Sequence, residues 1–162
     1  MLSLRRATRE DVPTILWFIR ELATYEREPD SVVATETDLL RDGFGETPYF
    51  HVLLAEWSGE PAGFAFYFFQ YSTWTGTPVL YLEDLFVTPS HRKRGIGLAL
   101  MRRLAEEAVR ANCKRFQWAV LDWNEPAIRF YESLGARLLP DWRTARVDGD
   151  ALEALAKRSA LS

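Results

Sequence analysis

Apolar residues recur along this chain at two different spacings. Val12, Ile15, Leu16, Ile19 and Leu22 follow the three-and-four interval of one helix face. Thr8 precedes them as an N-cap, with Asp11 three residues on and Pro13 in the first turn. A shorter helix is expected from Thr35 to Arg41, stopped by the glycines of Gly43-Phe44-Gly45. The spacing then changes. Phe50 to Trp57, Ala62 to Tyr71 and Val79 to Val87 are dense in aromatic and β-branched residues and read as strands, as does the short Leu2 to Ala7. Ser58-Gly59 and Trp74-Thr75-Gly76-Thr77-Pro78 supply turns so short that the three longer strands must be antiparallel neighbours. Helical spacing returns from Gly95 to Asn112, with Leu100, Leu104, Ala108 and Val109 expected on the core side. A strand from Arg115 to Leu121 and a helix from Glu125 to Leu134 follow. Trp142 to Val147 reads as a further strand and Asp150 to Arg158 as a last short helix. The order predicts an α/β fold: a mixed, mostly antiparallel central sheet with flanking helices.

Length and composition narrow the function. The 162 residues suit one domain spanning 1–162, and 48% apolar with 27% charged residues can both fill a core and cover it. Arg5, Arg6, Glu10 and Asp11 do not read as a secretory leader, and no apolar run approaches the ~20 residues a bilayer span needs. A single cysteine, Cys113, excludes an internal disulfide and a cysteine-rich metal site and fits a reducing, cytoplasmic setting. With His51 and His91 as the only histidines, a zinc site is not expected, so no metal is assigned. A net charge of −3 argues against nucleic acid as the partner.

Val87 to Leu98 is the most informative stretch. It joins a strand to a helix, where backbone N–H groups lack internal partners and the helix dipole adds positive charge. Gly95 and Gly97 leave room for a diphosphate to approach that turn, and Arg92, Lys93 and Arg94 surround it with cations. On its own, a glycine pair among basic residues is equally consistent with a plain strand-to-helix turn. No Gly-Lys-Ser/Thr ending and no third glycine is present, so neither a P-loop nor a dinucleotide fingerprint is met.

Arg92-x-x-Gly95-x-Gly97, directly after Leu82-Glu83-Asp84-Leu85-Phe86-Val87, resembles the acetyl-CoA motif of the GNAT superfamily of N-acetyltransferases. The run from Trp123-Asn124-Glu125-Pro126 through Phe130-Tyr131 to Gly135-Ala136 resembles the same superfamily's downstream motif. Glu21 to Glu26, Asp38 to Glu46, and Trp74 with Tyr81-Leu82-Glu83-Asp84 are similar to the diamine (spermidine/spermine) and thialysine acetyltransferase group. The resemblance runs from about Arg5 to Ala136. Lys93 stands where glycine is common, and the tail from Arg137 departs from the pattern.

This resemblance implies a GNAT-like fold, acetyl-CoA as the acetyl donor, a small cationic primary amine as acceptor, direct transfer without a covalent enzyme intermediate, and a homodimer. It places Leu85, Phe86 and Val87 against the pantetheine arm, with a backbone N–H near Val87 facing the oxyanion. Arg92, Lys93, Arg94, Gly95, Ile96, Gly97 and Leu98 fall on the phosphates, and Asn124, Glu125, Pro126 and Ala127 also contact the donor. Tyr131 takes the role of general acid, since a phenol titrating near ~10 can protonate a leaving thiolate; without the resemblance, a tyrosine beside Phe130 is ordinary helix packing. Glu83 is implied to bind the acceptor amine or relay its proton through water. Because side chains alternate along a strand, only one of Glu83 and Asp84 is expected to face the acceptor from a given side, and a structural ion pair is the plain alternative. Tyr25, Glu26, Gln117, Trp118 and Ala119 match acceptor-lining positions. Phe64, Phe66, Phe68 and Phe69 read as sheet packing, Cys113 as inert and His91 as a surface residue. A protein amine or an aminoglycoside-like acceptor, or a non-catalytic acyl-CoA sensor, are the competing functions.

Overall fold

The computed structural model describes residues 1–159 and divides them into two compact units, Met1–Leu121 and the described residues from Asp122 on. The first unit carries one five-stranded sheet in the order β1 (Leu2–Arg6), β2 (His51–Trp57), β3 (Glu60–Ser72), β4 (Thr77–Val87), β5 (Arg115–Trp118). The first four strands are antiparallel neighbours and β5 is parallel to β4, so the expected mixed, mostly antiparallel sheet is present. Ser58 (φ 53°) and Gly59 (φ 88°) are both left-handed, as a two-residue hairpin turn between twisted strands requires.

The sheet is covered on both faces. α1 (Val12–Tyr25) and α2 (Glu36–Gly43) bury Val12, Ile15, Leu16, Phe18 and Leu39 against Val52, Leu54, Phe64 and Phe86. The Phe18 and Phe64 rings stack at 5.1 Å. A capping box from Thr8 and Asp11 starts a 3-10 turn (Arg9–Asp11) that leads into α1, and Arg5 clamps Asp11 at 2.7 Å. α3 (Ile96–Arg110) packs on the opposite face, over β2, β3 and β4, with Ile96, Leu100, Met101, Leu104 and Ala108 buried.

Val109 does not join them. It is 78% exposed, because one step of ~100° from Ala108 carries it off the buried stripe. Glu107 fills the inward position instead, only 5% exposed, accepting from the Tyr67 phenol and paired with Arg6 (3.1 Å) and Arg103 (3.5 Å). A charge can sit there because it is paired.

In the second unit, α4 (Glu125–Ser133) ends at Gly135 (φ 92°), and α5 (Gly149–Ala156) matches the expected last helix to within two residues. The strand expected from Trp142 to Val147 is not formed. These residues pair with no strand among those described, and Trp142 (71%) and Val147 (47%) are exposed. A strand without a neighbour leaves its peptide groups unmatched, so alternation in sequence is not enough to create one. No helix among the described residues is long and apolar enough to cross a membrane.

Candidate active site

β5 pairs with β4 only from Val79 to Leu82, opposite Arg115 to Trp118, and ends three residues short of the expected Leu121. β4 continues alone on that side to Val87. On its other side, Thr88 donates to the Ala62 carbonyl at 2.9 Å, next to the Gly63–Val87 pair. That makes Gly63–Val87 a non-hydrogen-bonded pair, so the amide and carbonyl of Val87 point away from β3, into the gap left by β5. Glycine is required at position 63, since a Cβ there would lie 2.6 Å from the Phe86 carbonyl oxygen. Leu85, Phe86 and Val87 thus form one wall of an open notch in the sheet, and the polar edge of that wall is backbone.

The chain leaves this notch through a 3-10 turn, Pro89–His91, in which the Thr88 hydroxyl and His91 Nδ1 lie 2.7 Å apart. Lys93 (φ 62°) and Gly95 (φ 78°) are both left-handed, and Gly95 is the N-cap of α3 with no side-chain cap. A Cβ on Gly95 would meet nothing within 4 Å, so its conformation, rather than crowding, demands glycine, and the space over the turn is open. The unpaired N–H groups of a 15-residue helix therefore open onto clear space. Ile96, 1% exposed, pins the turn to the core, while Leu98 is 44% exposed.

The basic residues are not equivalent. Arg92 donates from Nε to the Val87 carbonyl at 3.0 Å, with its guanidinium 5.2 Å from the Tyr25 ring centroid and 5.7 Å from that of Phe86. Arg94 lies over Trp57 at 5.0 Å, and Lys93 is exposed. Two of the three cations are thus held by aromatic faces. Arg92 links the end of α1, the end of β4 and the turn. An anionic diphosphate chain fits this donor set of helix amides and cations.

The strand does not alternate through Glu83 and Asp84. Phe66 faces Asp84 and the next residue, Tyr67, faces Leu82, so Glu83 is an extra, bulged residue with no partner on β3. The bulge puts Asp84 on the same face as Phe66 and Phe86, toward α1, and leaves Glu83 exposed beside it. Glu26, just after α1, is half-buried, and burial together with Glu83 pushes its carboxyl up. Asp84 is pushed up to about 7, chiefly by burial and further by Glu83 and Glu26. Three carboxylates are therefore gathered near the notch. Sequence reasoning favours Glu83 and gives Asp84 no role, because a bulge leaves no trace in a residue pattern.

Gln117 pairs with Tyr81 and lies on the α1 side of the sheet. Trp118 alternates to the other side, half-buried with its ring 4.9 Å from Phe116, and Ala119 is exposed beyond the end of β5. In the second unit, Asn124 is the buried N-cap of α4, its side chain accepting from Ala127 N–H at 3.4 Å, with Glu125 and Pro126 in the first turn. Tyr131 is half-buried one and a half turns along, its ring 5.4 Å from Phe130. Among the described residues no group of histidine, cysteine or carboxylate side chains could hold a metal ion.

The model of the acetyltransferase (GNAT) family matches residues 12–136. The chain belongs to that family. This GNAT chain is 44% identical to thialysine N-epsilon-acetyltransferase from Sus scrofa, over 94% of its own length and 96% of the relative's. It is 31% identical to L-ornithine N5-acetyltransferase NATA1 from Arabidopsis thaliana, over 95% and 87% of the two chains. An integron cassette protein from the mobile metagenome of V. cholerae shares the fold at a TM-score of 0.81, with 33% identity and 97% and 98% of the chains covered. As a member of this family the chain is an acetyl-CoA-dependent N-acetyltransferase.

Proposed function

We propose that this enzyme moves the acetyl group of acetyl-CoA directly to the terminal primary amine of a small cationic acceptor: a diamine or polyamine, thialysine, or a lysine-like amino acid. The grouping of Glu26, Glu83 and Asp84 beside the notch carries this reading. None of the three has an ion pair or side-chain hydrogen bond among the described residues, so the cluster holds negative charge without a protein cation to neutralise it. An acceptor bearing more than one ammonium supplies that cation. Relatives named for acetylating thialysine and ornithine support the same acceptor class.

In this reading acetyl-CoA supplies the thioester as a cosubstrate, and the protein's own groups do the rest. The α3 turn from Arg92 to Leu98, with Lys93, Arg94, Gly95, Ile96 and Gly97, binds the diphosphate. The free edge of Leu85, Phe86 and Val87 pairs with the pantetheine arm, and the outward Val87 amide stabilises the oxyanion. Asn124, Glu125, Pro126 and Ala127 border the donor, and Tyr131 returns a proton to the thiolate. Glu83, exposed at the bulge, meets the acceptor ammonium, with Tyr25, Glu26, Gln117, Trp118 and Ala119 lining its approach. One transferase domain spans 1–162, and the enzyme works as a cytoplasmic homodimer without a metal.

A thiol-release assay with acetyl-CoA across diamines, polyamines, thialysine, lysine and ornithine tests the proposal. Release with at least one of these amines, and none with neutral amines, is the expected outcome. A chain that releases no thiol with any of them sinks it.

A further inference from the structure

Resting on the transfer reading above, we infer that Asp84, rather than Glu83, is the residue that removes the proton from the acceptor ammonium.

The bulge is the first reason. A regular strand would send Asp84 and Glu83 to opposite faces. The extra residue instead leaves Glu83 at the exposed kink and sets Asp84 opposite Phe66, on the face that carries Phe86 and meets the end of α1. Asp84 is thus bordered by two aromatic positions of its own sheet face, and it sits three residues before Val87, whose outward amide is assigned to the oxyanion. Glu83 is exposed to water.

The second reason is the lack of any structural use for Asp84. Elsewhere in this unit, carboxylates drawn out of water are answered, Asp11 by Arg5 and Glu107 by Tyr67, Arg6 and Arg103, whereas Asp84 and the half-buried Glu26 beside it are not. The Asp84 side chain has no hydrogen bond or ion pair among the described residues, and the charged groups that face it are both anions, Glu83 on its own strand and Glu26 from the end of α1. Arg92, which reaches the end of β4, is engaged with Val87, Tyr25 and Phe86. A half-buried carboxylate without a partner costs stability. Its retention here makes sense if the cost is recovered when an ammonium arrives.

The third reason is chemical matching. An amine titrating near ~10 must lose a proton before it can attack, and a base is most effective when it titrates near the working pH. Burial with two neighbouring anions brings Asp84 to about 7.

The step balances as follows. The Asp84 carboxylate takes one proton from the ammonium, directly or through one water, leaving a neutral amine. The nitrogen lone pair forms the C–N bond at the thioester carbonyl. When the C–S bond breaks, the nitrogen gives up its second proton, which balances the proton gained by the thiolate. Asp84 then returns its proton to solvent. The totals are one amide, one thiol and one proton.

The test is the pH dependence of kcat/KM for the best acceptor, measured by thiol release on the wild type, Asp84→Asn, Asp84→Glu and Glu83→Gln. The wild type should show an acidic limb. Asp84→Asn should lose that limb and about 100-fold in kcat, with coenzyme A binding by calorimetry held within about twofold. Asp84→Glu should restore a limb at a shifted pH, and Glu83→Gln should keep the limb while raising the acceptor KM. A limb that survives in Asp84→Asn, or vanishes in Glu83→Gln, overturns the assignment while the transfer reading stands. A wild type silent with every amine removes both.

Discussion

The Tyr67 phenol, fully buried in β3, donates to the Glu107 carboxylate in the last turn of α3. This contact, with Arg6 of β1 on the same carboxylate oxygen at 3.1 Å, ties the helix to two strands that do not adjoin each other. Burial and the Glu107 charge push the Tyr67 phenol well above its usual range, so it stays a donor at any working pH.

Removing the acceptor should therefore be costly. Glu107→Ala leaves the buried Tyr67 phenol without its acceptor and takes the carboxylate from the solvated Arg6 and Arg103, and should destabilise the fold by about 3 kcal/mol. Tyr67→Phe removes one bond and should cost about 1–3 kcal/mol. Urea unfolding of the two variants checks the order; equal losses would show that the network does not act through Glu107.

Asp84 should make stability depend on pH in an uncommon direction. Its carboxyl titrates near ~4 when unfolded and at about 7 when folded. Between those values the folded chain holds the extra proton, so stability falls as pH rises through the window. Asp84→Asn should raise Tm at pH 8 and leave it unchanged at pH 4. Asp11, held at about 2 by Arg5, has the opposite sign and contributes stability that is lost only as pH falls below the usual carboxylate range. Melting curves of both asparagine variants across pH separate the two effects.

The left-handed turn gives a third expectation. Gly95→Ala places a Cβ at φ 78°, in space that is clear but in a conformation costing about 1–2 kcal/mol. If the loop relaxes away, its amides no longer converge, and coenzyme A binding by calorimetry should weaken about tenfold. Lys93→Gly, relieving a non-glycine φ of 62°, should not weaken folding.

Tyr131→Phe keeps the ring and removes the hydroxyl that would carry the proton. Turnover should fall about 100-fold with donor affinity nearly intact. Steady-state kinetics beside calorimetry decides the matter, and undiminished turnover excludes the phenol as the acid.

Much of this architecture was legible in the residue pattern, and the failures have physical causes. Helix periodicity found α1 and α3 because their buried stripes are apolar, but it sent Val109 inward where a charged Glu107 lies, since hydropathy does not register a paired carboxylate. Alternation found β2, β3 and β4 and also suggested a strand at Trp142 to Val147, where no partner exists among the described residues. The turn from Arg92 to Gly97 announced itself through glycine spacing. The engagement of Arg92 with Tyr25 did not, because it joins segments more than 60 residues apart. The prominence of Asp84 depends on one bulged residue, and sequence carries no sign of it.

A strand margin left bare in the middle of a sheet is a template for whichever extended chain reaches it first. Here that margin runs from Glu83 to Val87, short enough to admit a coenzyme arm and capped at its far end by the Arg92 side chain on the last carbonyl. A slender cosubstrate and a stray β-segment from another molecule are rivals for the same peptide groups. If the coenzyme arm takes that margin, as proposed, saturating coenzyme should also lower any self-association, which sedimentation with and without coenzyme A would read.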